Sequence, residues 1–160
     1  MKVIVAAFVA LLLASMTTDC VAGAAPPGRV RAKQPLVLAR GGRTDYVVVQ
    51  ADQATQPERF AARELTSFLA RVTGADFPVV SESALRPGSR GIYLGWTKCA
   101  GRQGIDPAAL GEEEWIIRTA GQDLLLTGGR PRGTLYAVYE FLERPVGCHW
   151  LDRETEVVPS

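Results

Sequence analysis

The stretch TQPERFAARELTSFLARVTG, residues 55–74, constrains this chain more than any other. Thr55 is placed to cap a helix, Pro57 is tolerated in its first turn, and Glu58 suits its positive end. Ala61, Leu65, Phe68, Leu69 and Val72 recur at helical spacing and make one apolar face. Gly74 ends the helix, as glycine does just past a last turn. A helix that is apolar along one stripe only must lie against something, and the neighbouring segments supply it.

PLVLAR (35–40) and DYVVVQ (45–50) are β-branched runs joined by GGRT, which predicts a hairpin. FPVVSE (77–82) and GIYLGW (91–96) read as two further strands around a polar loop. DPAAL (106–110) is at most a short helical turn. EEWIIRTA and DLLLTG flank Gly121-Gln122, which marks a second hairpin. GGRPRGTLYAVYEFLE (128–143) leads from a glycine-rich turn into a second helix, with Leu135, Val138, Tyr139 and Leu142 on one face. CHWLD and EVVP close the chain in extended form. Strands outnumber helices, and hairpins mix with helical crossovers. The expected fold is therefore α+β, a mixed β-sheet with two helices packed on one face.

Ahead of this domain, Met1-Lys2 precedes the uncharged run VIVAAFVALLLASM (3–16). It has signal-peptide length and falls short of the roughly 20 residues of a membrane span. VAGAAPPG supplies small residues for cleavage after Ala22 or Ala24, while Asp19 disfavours lipoprotein processing at Cys20. The chain is thus read as a signal peptide (1–24), a linker (25–34) and one domain (35–159), secreted or periplasmic and free of the membrane once processed. The remaining length holds a real core but falls well short of the roughly 250 residues of a (β/α)-barrel. The net charge of +1 lacks the basic footprint of a nucleic-acid binder, and Arg29, Arg31 and Lys33 read as a solvated tether. Arg outnumbers Lys 15 to 3 and Asn is absent, a skew of GC-rich bacterial coding sequences that also removes any N-glycosylation acceptor. Cys99 and Cys148 survive processing; in an oxidising compartment they are candidates for a disulfide, the alternative being two buried thiols.

No local motif assembles an active site. Gly128 to Gly133 has the glycine spacing of a phosphate loop, but Thr134-Leu135 replaces the required Lys-Ser/Thr. Arg130 stands where a dinucleotide fingerprint needs its second glycine. Arg130 and Arg132 could still meet an anion at a helix N-terminus, though the turn reads more simply as a connection, with Gly133 permitting close helix-to-sheet packing. His149 is the single histidine; beside Cys148 in a strand its side chain points to the other face, so the two share no metal. No G-x-S-x-G elbow accompanies it, and a structural histidine is the reading. Glu112, Glu113 and Glu114 form an acidic run that reads as a solvated edge rather than as carboxylates facing each other across a cleft. Tyr93, Trp96 and Trp150 are candidate carbohydrate contacts; Trp115 offers a similar surface, and such residues in strands are otherwise core. Catalytic residues, metals and cofactors are expected to be none.

GIYLG, followed by LGEEEWIIRTAGQDLLLTGGRPRGTLYAVYEFLERPVGCHWLDRETEVVP, resembles the small α+β domain that precedes the catalytic barrel in family-67 α-glucuronidases. A related domain precedes the barrel of bacterial β-N-acetylhexosaminidases, and ERFAARELTSFLARVTGADFPVV is similar to its first helix and following strand. The likeness covers residues 35–159. It implies that acid, nucleophile and sugar pocket belong to a following barrel, the expected partner, so no catalytic position carries over. His149 departs from the pattern, where family members commonly show Arg before the Trp. The function expected is a non-catalytic accessory domain of a secreted glycoside hydrolase, as a fragment or a stand-alone copy. A stand-alone carbohydrate-binding module for uronic-acid or amino-sugar polysaccharides is the alternative. A complete small hydrolase, the third class, would draw on Glu113 or Asp152.

Overall fold

The computed structural model describes the backbone of Ile4–Val5 and residues 35–152 and 155–159. Apart from Ile4–Val5, the expected signal peptide and linker lie outside the described residues. Ile4–Val5 (β1) pairs antiparallel with Leu36–Val37 (β2).

The centre of the molecule is a sheet of five strands: Tyr46–Gln50 (β3), Val79–Ser81 (β4), Arg90–Leu94 (β5), Trp115–Ala120 (β6) and Asp123–Gly128 (β7). They lie in the order β4-β3-β5-β7-β6. All neighbours are parallel except the β6–β7 hairpin, where Trp115 faces Gly128 and Ala120 faces Asp123. The sheet is mixed and the fold is α+β. Side chains alternate across it. Val48, Ile92, Leu94, Leu124 and Leu126 point to one face, while Val49, Tyr93 and Leu125 point to the other.

Helix α1 (Gln56–Thr73) covers the first face. Thr55 and Glu58 form a reciprocal capping box, each side chain accepting from the other's backbone N–H at 3.4 and 2.6 Å. Gly74 closes the helix at φ 70°, which a side-chain-bearing residue adopts only with strain. Ala61, Leu65, Phe68, Leu69 and Val72 are all buried. Each Leu or Phe so enclosed contributes about 1.5–3 kcal/mol.

Beside it lies α3 (Gly133–Phe141), which opens into a wide turn, Leu142–Val146, containing Pro145. Its buried face differs in part from the expected one. Gly133, Thr134, Ala137, Val138 and Phe141 are buried, with Leu142 beyond the helix end, whereas Leu135 and Tyr139 are half-buried on the rim. Close approach decides this. A β-carbon on Gly133 would overlap the Glu114 carbonyl, and one on Gly128 would sit 2.7 Å from the Gly133 α-carbon. Glycine therefore stands where the helix start meets the strand end, and Val138 and Leu142 are buried as expected while Leu135 and Tyr139 are only half-buried.

The opposite face carries a thinner cover. Helix α2 (Lys98–Arg102), capped by Thr97 accepting from the Ala100 N–H, places Cys99 and Ala100 over Tyr93 and Leu125. The sequence reading assigned no element there. Pro107–Ala109 forms the short turn expected of DPAAL. His149–Trp150 (β8) and Glu156–Val157 (β9) pair antiparallel at the end of the described chain.

One further expectation is corrected, and one left open is decided between its alternatives. The GGRT turn closes with Arg40 and Arg43 exchanging backbone hydrogen bonds at 2.9 and 3.2 Å. Its flanking strands nonetheless separate: β2 pairs with β1, and β3 lies between β4 and β5. Cys99 and Cys148 form no disulfide. Both are buried free thiols, Cys99 in the cluster under α2 and Cys148 in the core beneath α1 and α3, with the sheet between them. Burial raises both thiol pKa values.

Candidate functional site at the carboxyl edge of the parallel strands

In open α/β sheets, ligands settle outside the carboxyl ends of the strands. Here β3, β5 and β7 end near the starts of α1 and α3. The residues meeting there are Glu58 from α1, Trp96 after β5, and Arg130 from the glycine-rich turn after β7.

Glu58 is 2% exposed, a burial that a carboxylate tolerates only when paired. Its Oε2 accepts from the Thr55 N–H at 2.6 Å and from Arg130 Nη2 at 3.2 Å, and its Oε1 accepts from Arg130 Nε at 3.3 Å. Arg130 Nη2 also donates to the Gln53 carbonyl at 3.2 Å. The guanidinium stacks over the Trp96 ring, 4.2 Å from its centroid. Trp96 is fixed in turn, its Nε1 donating to the Gly128 carbonyl at 2.8 Å. Glu58, Arg130 and Trp96 thus form a clamp that joins the first turn of α1 to the turn before α3. Both Glu58 oxygens are occupied and the group is shut from solvent, so it is no general acid or base as it stands. Arg130, paired with a carboxylate, is no open anion site. Arg132 is exposed, with its charge reinforced first by a hydrogen bond to Tyr136 and then by Glu113 and Glu112.

The candidate sugar contacts do not converge. Tyr93 is 6% exposed on the face under α2 and presents no ring to solvent. Trp150 is wedged edge-on against Phe68 and Tyr139, with ring centroids 5.2 and 5.1 Å away. Trp96 stands near Glu58 and Trp150 near Phe68, ten residues along α1, which is about 15 Å. Trp115 is exposed on the edge strand β6.

The acidic run is exposed. Glu114 accepts from the Gly111 N–H at 2.8 Å, and its carbonyl accepts from the Gly129 N–H at 2.9 Å. Asp152 accepts from the Thr155 N–H at 2.7 Å. His149 is exposed, in register with Val157. Among the described residues, no three His, Cys, Asp or Glu side chains gather to hold a metal. No described helix is long and apolar enough to cross a membrane. Sequence reasoning missed the Glu58–Arg130 pair; its one signal was an Arg where a dinucleotide fingerprint wants its second glycine.

The fold and this clamped edge define an α+β domain on a mixed, mainly parallel sheet, whose glycine-rich turn packs a helix instead of cradling a phosphate. The family model of the glycosyl hydrolase family 67 N-terminus matches residues 42–141, and the chain belongs to that family. No curated protein matches the chain.

Proposed function

We propose that the chain is the non-catalytic N-terminal accessory domain of a secreted bacterial glycoside hydrolase, supporting a catalytic (β/α)-barrel in polysaccharide degradation. The family 67 N-terminus match over residues 42–141 carries this reading. The clamp supports it physically, because the carboxylate at the strand ends is committed to holding two helices together. In this reading residues 1–24 direct export and are removed, and the domain packs against the barrel and stabilises it.

Sequencing the gene beyond codon 160 and assaying the purified chain test the proposal together. A barrel-coding frame and no turnover of aryl glycosides by the chain alone are expected. A stop codon directly after Ser160 with no barrel encoded nearby would sink the proposal. Retardation of the chain on a polysaccharide gel would favour the binding-module alternative.

A further inference from the structure

The central sheet ends in two unlike edges. On one side β4 is three residues long and follows Pro78, which has no N–H to offer a neighbouring strand. On the other side β6 runs for six residues, WIIRTA, without proline or lysine to blunt it.

The hairpin with β7 fixes which backbone groups of β6 stay open. Ala120 and Asp123 face each other across the Gly121-Gln122 turn, and the Glu114 carbonyl accepts from the Gly129 N–H at 2.9 Å. Hydrogen-bonded pairs alternate along an antiparallel ladder, so Glu114, Ile116, Arg118 and Ala120 turn their backbone groups toward β7. Trp115, Ile117 and Thr119 turn theirs away, and among the described residues these groups have no partner. A row of open N–H and C=O groups is a template for another strand. The side chains along it are largely apolar: Ile117 packs toward the helix-covered core, and Trp115, on the same face, is 39% exposed. The single charge of the strand, Arg118, donates to the Gln103 carbonyl at 3.1 Å.

We propose that β6 is a homodimer edge, pairing antiparallel with β6 of a second copy about a twofold axis at Ile117. Centred there, every open residue meets another. Ile117 exchanges both hydrogen bonds with Ile117 of the second copy, and Trp115 exchanges them with its Thr119. The exposed indole then lies across that threonine and gains cover. Charge favours the same arrangement. Glu114 comes diagonal to Arg118 of the second copy on one face, within reach of long side chains. Parallel pairing would instead set the two Glu112–Glu114 runs side by side. The contact leaves the Glu58–Arg130–Trp96 clamp untouched, and it does not depend on the accessory-domain reading.

Sedimentation equilibrium of the purified chain tests the pairing. A reversible dimer with a Kd in about the micromolar range is expected, as for a small interface. Thr119→Pro removes an N–H that points away from β7, where an edge strand tolerates proline. Losing that bond and its symmetry mate is expected to weaken the dimer about tenfold or more, with the circular dichroism unchanged. Ile117→Cys is expected to cross-link to itself under mild oxidation. Arg118→Cys is not, because its two copies lie diagonal to each other, too far apart for a disulfide; the native thiols are buried. Should Thr119→Pro not fold, the cysteine pair decides alone. A monomer at every concentration, a folded Thr119→Pro that dimerises as tightly as the unaltered chain, or failure of Ile117→Cys to link in preference to Arg118→Cys would overturn the assignment.

Discussion

The two faces of the central sheet are built from the same strands and differ in what covers them. Val48, Ile92, Leu94, Leu124 and Leu126 lie under the eighteen-residue α1 and under α3, in a cluster extending to Phe77, Phe141 and Cys148. Their alternate neighbours Val49, Tyr93 and Leu125 lie under the five-residue α2, with Cys99, Ala100 and Ile105. Strand periodicity made both faces equally apolar, so the cover decides the difference. Under α1 and α3 lie most of the largest enclosed side chains, and there the Thr134 hydroxyl at the start of α3 is, among the described residues, a buried polar atom without a hydrogen bond. Under the short helix the cluster is smaller. Burial is concentrated on the helix-covered face.

The largest expected effect tests that division directly. Phe141 is fully buried in the helix-covered core, and Phe141→Ala is expected to cost about 3–5 kcal/mol in urea unfolding. Ile105, buried under the thinner cover, is expected to cost about 2 kcal/mol on truncation to Ala, because its surroundings can settle. Equal losses would show the two faces to be equally packed, and the comparison would fail.

A smaller effect is expected at the edge of the helix-covered face, where the clamp closes. Removing Arg130 leaves the Glu58 carboxylate enclosed with only the Thr55 N–H. Breaking a buried pair costs about 3–5 kcal/mol; Arg130 is one-third exposed, and Arg130→Ala is expected to cost about 2–3 kcal/mol. Glu58→Gln combined with Arg130→Ala is expected to lose less than the sum of the single changes, since both act on one contact. The Arg71–Glu156 and Arg144–Glu140 pairs are more exposed, and Arg144→Ala is expected to cost under about 1 kcal/mol. A clamp variant as mild as Arg144→Ala would reduce Glu58–Arg130 to a surface pair.

How much of this was legible in the residues follows the same division. Helix α1 was legible because its signals are local and agree: Thr55 with Glu58 at one end, Gly74 at the other, and the apolar stripe between. The β6–β7 hairpin was legible for the same reason, with Gly121-Gln122 between two apolar runs. The face of α3 was read in part: Val138 and Leu142 are buried as expected, but periodicity also favoured Leu135 and Tyr139, whereas contact with Gly128 selects Gly133. Helix α2, KCAGR, has too few residues for a period to show. The clamp joins Glu58 to a residue 72 positions later. No spacing rule reaches across such distances. The sugar-contact candidates failed to converge for a related reason: aromatic residues in strands follow the alternation of the sheet, which sent Tyr93 inward.

Tyr93 and Tyr139 allow the finest test, since one lies on each face. Burial is the main cause in both, and each pKa is pushed up to about 12. Tyr139 also donates to Glu64 at 2.9 Å, and this hydrogen bond adds to its rise, whereas Tyr93 has no such partner. A phenol whose folded pKa is raised favours the folded state while protonated. Its contribution is complete below the unfolded value near 10 and is lost as pH climbs through about 12. Unfolding free energy is therefore expected to fall between pH 10 and 12, the window of these two groups, with Tyr46, Cys99 and Cys148 shifted in the same direction by burial. In an ultraviolet titration, Glu64→Gln is expected to lower the tyrosine on the helix-covered face and leave Tyr93 unchanged. If both midpoints moved together, the two faces would be electrostatically coupled, and the sheet would not be the barrier that its alternating side chains make it.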